Sequence, residues 1–331
     1  MLALVTGAGG FLGQALLRAL TARGARVRAL ARRPEPAFDH RSIEPILGDA
    51  GDPALLARAV DGVDVVFHLA GVRRAAERDE FFRVNVGTTR LLLEACVAHA
   101  PRLRRFVLAG SRAASPPSAT GCTEADPLAP SEAYGESKAE AERVAFLYTG
   151  QLPVTVARPP RIMGPGDREN LILFELAAHG WAPRFGDDPP LSWVDVDDCA
   201  RGFLLLAERP EAIGKPFFLT SDERTSTAGL FAAAAAALGV AAREVPVPAV
   251  ALRALASMAD LATRLTGHKL PLNRKLARQL LAPGWVCDGA RARALLGFQA
   301  PTRLDDSMRR AAAWYLARGW LSGGPPATPQ S

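Results

Sequence analysis

Tyr134 and Lys138 lie four residues apart in "EAYGESKAEAE" (132–142), inside a stretch, 131–149, that reads as a helix. Residues four apart meet on one helical face. An ammonium beside a phenol favours the phenolate and lowers its pKa towards working pH, which a general acid–base needs. Ser111 follows the apolar run "RFVLAG" (105–110). A hydroxyl at such a strand end can hydrogen-bond a substrate oxygen and share the tyrosine's proton. Its plainer role is to satisfy the strand end. Tyr-x-x-x-Lys alone is a frequent accident, so the three residues need a scaffold that makes sense of them.

That scaffold begins with "TGAGGFLG" (6–13), between the apolar run "LALVT" (2–6) and the amphipathic "FLGQALLRALTARG". A strand that turns sharply into a helix leaves backbone N–H groups pointing out of the helix start, where the dipole favours an anion. Gly7, Gly10 and Gly13 permit the tight turn and let a pyrophosphate approach the backbone. The strand–turn–helix context is the one a dinucleotide site requires; a merely tight turn is the bland alternative. The second strand, "ARVRAL" (25–30), runs into Ala31, Arg32 and Arg33. A cofactor with a free ribose 2′-hydroxyl usually meets an acid here. Neither Ala31 nor its neighbours offers a carboxylate, whereas guanidinium groups would pair with a 2′-phosphate. If they are not simply solvated, Arg32 and Arg33 point to NADP (NADPH), with NAD left open. Asp49 in "LGDAGD" follows the third strand and is placed to accept from an adenine amino group. Asp52, before Pro53, suits a helix N-cap better.

Further apolar runs at 43–47, 64–70 and 153–157 alternate with helical stretches, including 80–98. Strands apolar throughout and separated by helices predict a parallel sheet covered on both faces, hence an α/β, Rossmann-type doubly wound fold. The expected division is a dinucleotide-binding domain over 1–158, with 191–220 returning to it. A smaller, mostly helical substrate lobe is expected over 159–320, and a disordered tail over 322–331.

The 331 residues carry a formal net charge of +6, and 22% are charged, with no basic stripe interleaved with aromatics. A nucleic-acid partner is therefore not expected. Cys96, Cys122, Cys199 and Cys287 form no CxxC pair, and no histidine is spaced beside them as a ligand. Neither a metal site nor a disulfide framework follows. The first residues already read as a strand rather than a signal peptide, and no apolar run reaches transmembrane length. A reducing, cytoplasmic compartment is expected, with a homodimer left open.

Taken in order, "TGAGGFLG", "GD" (48–49), "HLAG" (68–71), "VNVGTT" (84–89), Ser111 and "YGESK" resemble the extended short-chain dehydrogenases/reductases. "RPPRIMGPGD" (158–167) and "WVDVDDCARG" (193–202) continue the likeness, which covers about residues 1–320. The resemblance implies Ser111, Tyr134 and Lys138 as a catalytic triad with Asn85 as a supporting polar group. It also implies cofactor contacts from the glycine turn with Phe11 and Leu12, from Arg32 and Asp49, and from Leu69, Ala70 and Gly71. Lys138, Pro159 and Ile162 complete that set. Dehydratases of this family carry Asp-Glu after the active-site hydroxyl residue; Arg112 and Ala113 stand here, which speaks against dehydration.

Substrate choice is expected from the second lobe. The segment 245–267 reads as a helix, apolar but interrupted by Arg253, Asp260 and Arg264, and is expected to serve as core or as a greasy lid. "GGFLGQAL" (9–16) and the 158–167 segment are similar to the 3β-hydroxysteroid-dehydrogenase-like and 2-alkyl-3-ketoalkanoate-reductase-like branch. The implied activity is interconversion of a ketone and a secondary alcohol on a hydrophobic small molecule. A nucleotide-sugar epimerase holding NAD is the alternative, for which Arg161, Arg168 and Arg184 could supply phosphate ligands. A non-catalytic cofactor sensor is a third.

Overall fold

β1 (Leu2–Thr6), β2 (Arg26–Ala31), β3 (Ile43–Leu47), β4 (Val65–His68), β5 (Arg105–Ala109), β7 (Val154–Ala157) and β11 (Pro216–Phe217) form one parallel sheet. Their order is β11-β7-β5-β4-β1-β2-β3. It reverses direction between β1 and β4, the crevice where doubly wound sheets bind ligands. The computed structural model describes residues 1–75, 77–266, 270 and 272–321. The tail expected to be disordered, 322–331, lies outside the described residues.

Central strands bury every residue, as β4, β5 and β7 do, because helices cover both faces. On one side lie α1 (Phe11–Ala22), α7 (Val196–Glu208) and α11 (Ala290–Leu296), which contribute Leu16, Leu20, Phe203 and Leu296 to a core shared with Val5 and Phe67. On the other lie α2 (Pro53–Val60), α4 (Thr88–His99) and α5 (Ala133–Leu147), with Leu56, Leu93 and Val144 packed against Leu4 and Phe106. α7 packs on α1, and β11 pairs with β7 at the sheet edge. The short α3 (Arg78–Phe81) runs through a wider π turn, Phe82–Gly87, into α4.

Helices dominate the second lobe. α6 (Leu171–Ala178), α8 (Thr227–Leu238) and α12 (Leu304–Ala317) enclose Phe174, Phe231, Met308 and Tyr315. Two small sheets join them. β12 (Arg224–Ser226), β10 (Pro190–Asp195), β14 (Trp285–Cys287) and β6 (Ser118–Cys122) form one, with β8 (Arg161–Met163) paired to β10; β9 (Trp181–Phe185) and β13 (Arg243–Val247) form the other.

The segment expected as one helix from 245 is therefore corrected: Val245–Val247 completes β13, paired with Pro183–Phe185. Pro246 and Pro248 hold the chain extended there, and the helix α9 (Ala249–Thr266) starts only after them. α9 buries Leu252 and Ala256 against Ala277 of α10 (Arg274–Leu280), while Leu255 and Met258 stay exposed. Among the described residues, no helix is long and apolar enough to cross a membrane.

Candidate active site

The glycine turn closes the carboxyl end of β1. Gly7 has φ +68°, and a Cβ there would sit 2.8 Å from the Ala70 nitrogen. A Cβ on Gly13 would sit 2.3 Å from the Gly7 carbonyl oxygen, so α1 lies directly on the turn. Gly10 is the N-cap of α1 and offers no side-chain acceptor, and the first turn of the helix holds no acid. Its leading N–H groups are thus left for an external anion. This cradle fits a dinucleotide pyrophosphate. Phe11 and Leu12 pack partly against the core beneath it.

Leu69, Ala70 and Gly71 continue β4 alongside. The Leu69 and Ala70 amides donate to the Thr6 carbonyl and Thr6 Oγ1, both at 3.2 Å. His68 is held between Thr6 Oγ1 (2.7 Å) and Thr89 Oγ1 (3.0 Å). Burial first, and Lys138 second, push its pKa down to about 3, so it is a neutral tie between strands.

Arg32 and Arg33 leave β2 exposed, and neither forms an ion pair with a described residue. Asp49 is exposed too; its Oδ1 accepts from the Gly51 amide at 2.7 Å. Asp52 caps α2 through Ala54 (2.9 Å) and Leu55 (3.3 Å). One expectation needs correction. Glu35 folds back over the glycine turn, its Oε1 3.2 Å from where a Gly9 Cβ would stand. A carboxylate therefore does neighbour the end of β2. Pro34 and Pro36 flank it and turn the chain, a doubling-back that local pattern does not announce.

α5 starts at Ala133 and carries Tyr134 and Lys138 on one face. The Ser111 hydroxyl lies against the Tyr134 phenol closely enough to lower its pKa. Ser111 Oγ also accepts from the Ala113 amide (3.1 Å), so it satisfies its strand end as well. Lys138 Nζ donates to the Ala109 carbonyl at 2.6 Å, which fixes it under the end of β5. Asn85 comes from the π turn, a distortion frequent at functional sites. Fully buried, it donates to Val72 O (3.0 Å) and Ser137 Oγ (2.9 Å) and accepts from the Val72 amide (2.8 Å). It pins the loop after β4 to α5 rather than facing a substrate.

The electrostatics differ from expectation. Burial raises the Tyr134 pKa, and the cation that pulls it back most strongly is Arg73, on the loop after β4. Lys138 Nζ, by contrast, donates to the Ala109 carbonyl. Burial, then Arg73, push Lys138 down to about 8. Its ammonium is thus lost as pH rises through about 8, while the phenol stays protonated. Turnover that needs this ammonium should fall along an alkaline limb near pH 8, read from kcat/KM profiles. Arg73→Met removes a like charge and should move the limb to higher pH; a limb that stays put would remove Arg73 from this role. Unfolding does not explain the limb. Between pH 8 and the ordinary lysine value of 10.5 the unfolded chain binds more protons, so this group adds stability as pH rises.

Across the cleft, the Pro159 carbonyl accepts from the Arg112 amide (3.0 Å), and the Ile162 carbonyl accepts from Asn170 Nδ2 (3.0 Å). Arg112 itself is buried away from the site, donating to Val286 O (3.0 Å) and Ser115 O (3.2 Å). Of the three arginines considered for phosphates, Arg168 lies over the Trp320 ring at 4.5 Å. Arg184 pairs with Glu244 at 2.6 Å. Arg161 alone is half-buried in the cleft, its Nε donating to Asn170 Oδ1 (2.7 Å). The lobe reaches the tyrosine through α10 rather than α9. Lys275 Nζ lies 3.1 Å from Glu132 and 5.2 Å from the Phe81 ring, which meets Tyr134 edge-on at 6.3 Å.

Residues 3–218 match the model of the NAD dependent epimerase/dehydratase family. A ceramide reductase of Caulobacter vibrioides is 31% identical, covering 96% of this chain and 95% of its own. A 2-alkyl-3-oxoalkanoate reductase of Stenotrophomonas maltophilia is 32% identical, covering 94% and 98%. The solved structure of MoeE5 in complex with UDP-glucuronic acid and NAD is 25% identical with a TM-score of 0.77, covering 96% and 99%. The order of motifs, the parallel sheet and full-length reductase relatives agree on an NAD(P)-dependent oxidoreductase of the extended short-chain type. The chain belongs to the NAD dependent epimerase/dehydratase family.

Proposed function

We propose that this protein uses NADPH to reduce a ketone on a hydrophobic small molecule, of the 3-oxo acid, steroid or secondary-metabolite kind, to a secondary alcohol. The observation that carries the reading is the half-buried Tyr134 phenol facing Ser111, with Lys138 anchored beside it. Reductase relatives along the full chain support it. So does the engagement of Arg168 and Arg184 elsewhere, which leaves the lobe without a cluster of cations for a diphosphate.

In this reading the cradle from Gly7 to Gly13 and the ends of β2, β3 and β4 hold the cofactor, which supplies a hydride when bound. Tyr134 Oη gives its proton to the carbonyl oxygen while the Ser111 hydroxyl orients that oxygen. Lys138 uses one N–H on Ala109 and keeps two for the nicotinamide ribose. Asn85 keeps the loop after β4 in register with α5.

Purified protein should consume NADPH with 3-oxo acids or polycyclic ketones. Purification with bound NAD and interconversion of a nucleotide sugar without net cofactor use would instead establish the epimerase reading, which the MoeE5 likeness favours. Replacing Arg32 and Arg33 together by alanine should weaken NADPH binding by about 1.5–3 kcal/mol, the worth of charged hydrogen bonds. NADH binding should hardly change. A wild type that prefers NADH, through Glu35 for instance, overturns the NADPH assignment.

A further inference from the structure

Arg161 is a half-buried cation that Asp167 and Glu169 favour only without direct ion pairing. Its Nε is taken by Asn170, and it forms no ion pair with a described residue. The nearby carboxylates are committed. Asp167 Oδ1 accepts from the Glu169 amide (2.9 Å), and its Oδ2 is bound by Asn170 Nδ2. Glu169 is held by Arg73 at 2.8 Å, with Arg74 at 3.9 Å. With Glu132 paired to Lys275, the three guanidinium groups of Arg73, Arg74 and Arg161 stand against the two carboxylates of Asp167 and Glu169.

The surplus charge stands on β8, apart from the glycine turn. Arg73 links the two regions: it pairs with Glu169, the residue before the Asn170 that holds Arg161, and it acts on the Tyr134 phenol. The cofactor's own anions belong at the glycine turn and at the end of β2. Burial disfavours the Arg161 cation, which an incoming anion would relieve.

We propose that Arg161, backed by Arg73, binds a carboxylate of the substrate, so that this site takes a ketone carrying a carboxylate close to its carbonyl. A planar fork with free N–H groups suits a carboxylate in two-point contact. Ion pairing also keeps such a 3-oxo acid ionised, and it is the protonated acid that loses carbon dioxide readily. Arg73 is already neutralised by Glu169, so the site offers about one net positive charge, which matches a monoanion better than a diphosphate. The inference rests on the ketoreductase reading above.

The test pairs a 2-alkyl-3-oxo acid with its methyl ester, using full-length protein and NADPH. The wild type should favour the acid in kcat/KM. Arg161→Met should cut the acid-over-ester ratio at least about tenfold, mainly through KM for the acid, and Arg161→Lys should restore part of it. NADPH affinity and the unliganded melting temperature, unchanged, show that the variant is folded. Equal loss on acid and ester, or no change in the ratio, overturns the proposal. Thermal shift with NADP and a 3-hydroxy acid reads binding without turnover. Stabilisation that vanishes in Arg161→Met supports the subsite even where no ketone is reduced, a result that would count against the ketoreductase reading alone. Stabilisation by a UDP-sugar that Arg161→Met abolishes assigns the cation to a phosphate and overturns the carboxylate. No stabilisation by the hydroxy acid overturns it too.

Discussion

Tyr134→Phe is expected to bind NADPH as the wild type does and to reduce its ketone about 100- to 10,000-fold more slowly, the usual worth of a positioned general acid. The substitution keeps the ring and its edge contact with Phe81 and removes only the hydroxyl. Ser111 cannot replace it, because an alkyl hydroxyl is a far weaker acid than a phenol. Lys138→Met should damage both properties. It removes the donor to Ala109 and the N–H groups assigned to the ribose. Titration of NADPH by fluorescence and single-turnover reduction separate the two variants. A Tyr134→Phe enzyme that turns over near the wild-type rate removes this phenol from the mechanism.

Much of this architecture is written in local pattern. β1, the glycine turn and α1 follow from an apolar run, three glycines and a 3.6-residue stripe, all of them signals within one short stretch of chain. The Tyr134 and Lys138 pairing follows from helix geometry alone. What the sequence hides depends on distant partners. β6 is a strand because it meets β14, more than 160 residues later, through Cys122 and Cys287. β13 is extended because β9 pairs with it. The π turn that aims Asn85 at Val72 has no composition of its own.

The same holds for charge. "GVRRAAERDE" looks like a solvated loop, yet the fold brings Arg73 to the tyrosine, where it lowers the pKa of both Tyr134 and Lys138. Basic residues directly after "HLAG" were the available signal. Glu35 was in plain view in "ALARRPEP", but only the turn at Pro36 shows that it folds over Gly9. Local periodicity places elements, while the electrostatic partners of a site come from crossings between them.

Gly13→Ala is the second large effect expected, and it acts through one methyl group. The added Cβ would lie 2.3 Å from the Gly7 oxygen and 2.7 Å from the Ala8 oxygen, both on backbone that cannot swing aside. α1 must therefore lift off the turn, and with it Leu16 and Leu20, which pack beneath the sheet against Val5 and Phe203. Overpacking of this kind costs about 1–3 kcal/mol in stability. The cost to the cofactor is separate, because the N–H groups at the start of α1 move away from the pyrophosphate they are meant to meet. The melting temperature should fall by several degrees and NADPH affinity by at least about tenfold, since each 1.4 kcal/mol lost from binding is a factor of ten. Gly150→Ala serves as the control: nothing lies within 4 Å of its Cβ position, so both readouts should stay at wild type. If Gly13→Ala binds NADPH normally, the cofactor does not use this turn, and the dinucleotide must bind elsewhere in the crevice.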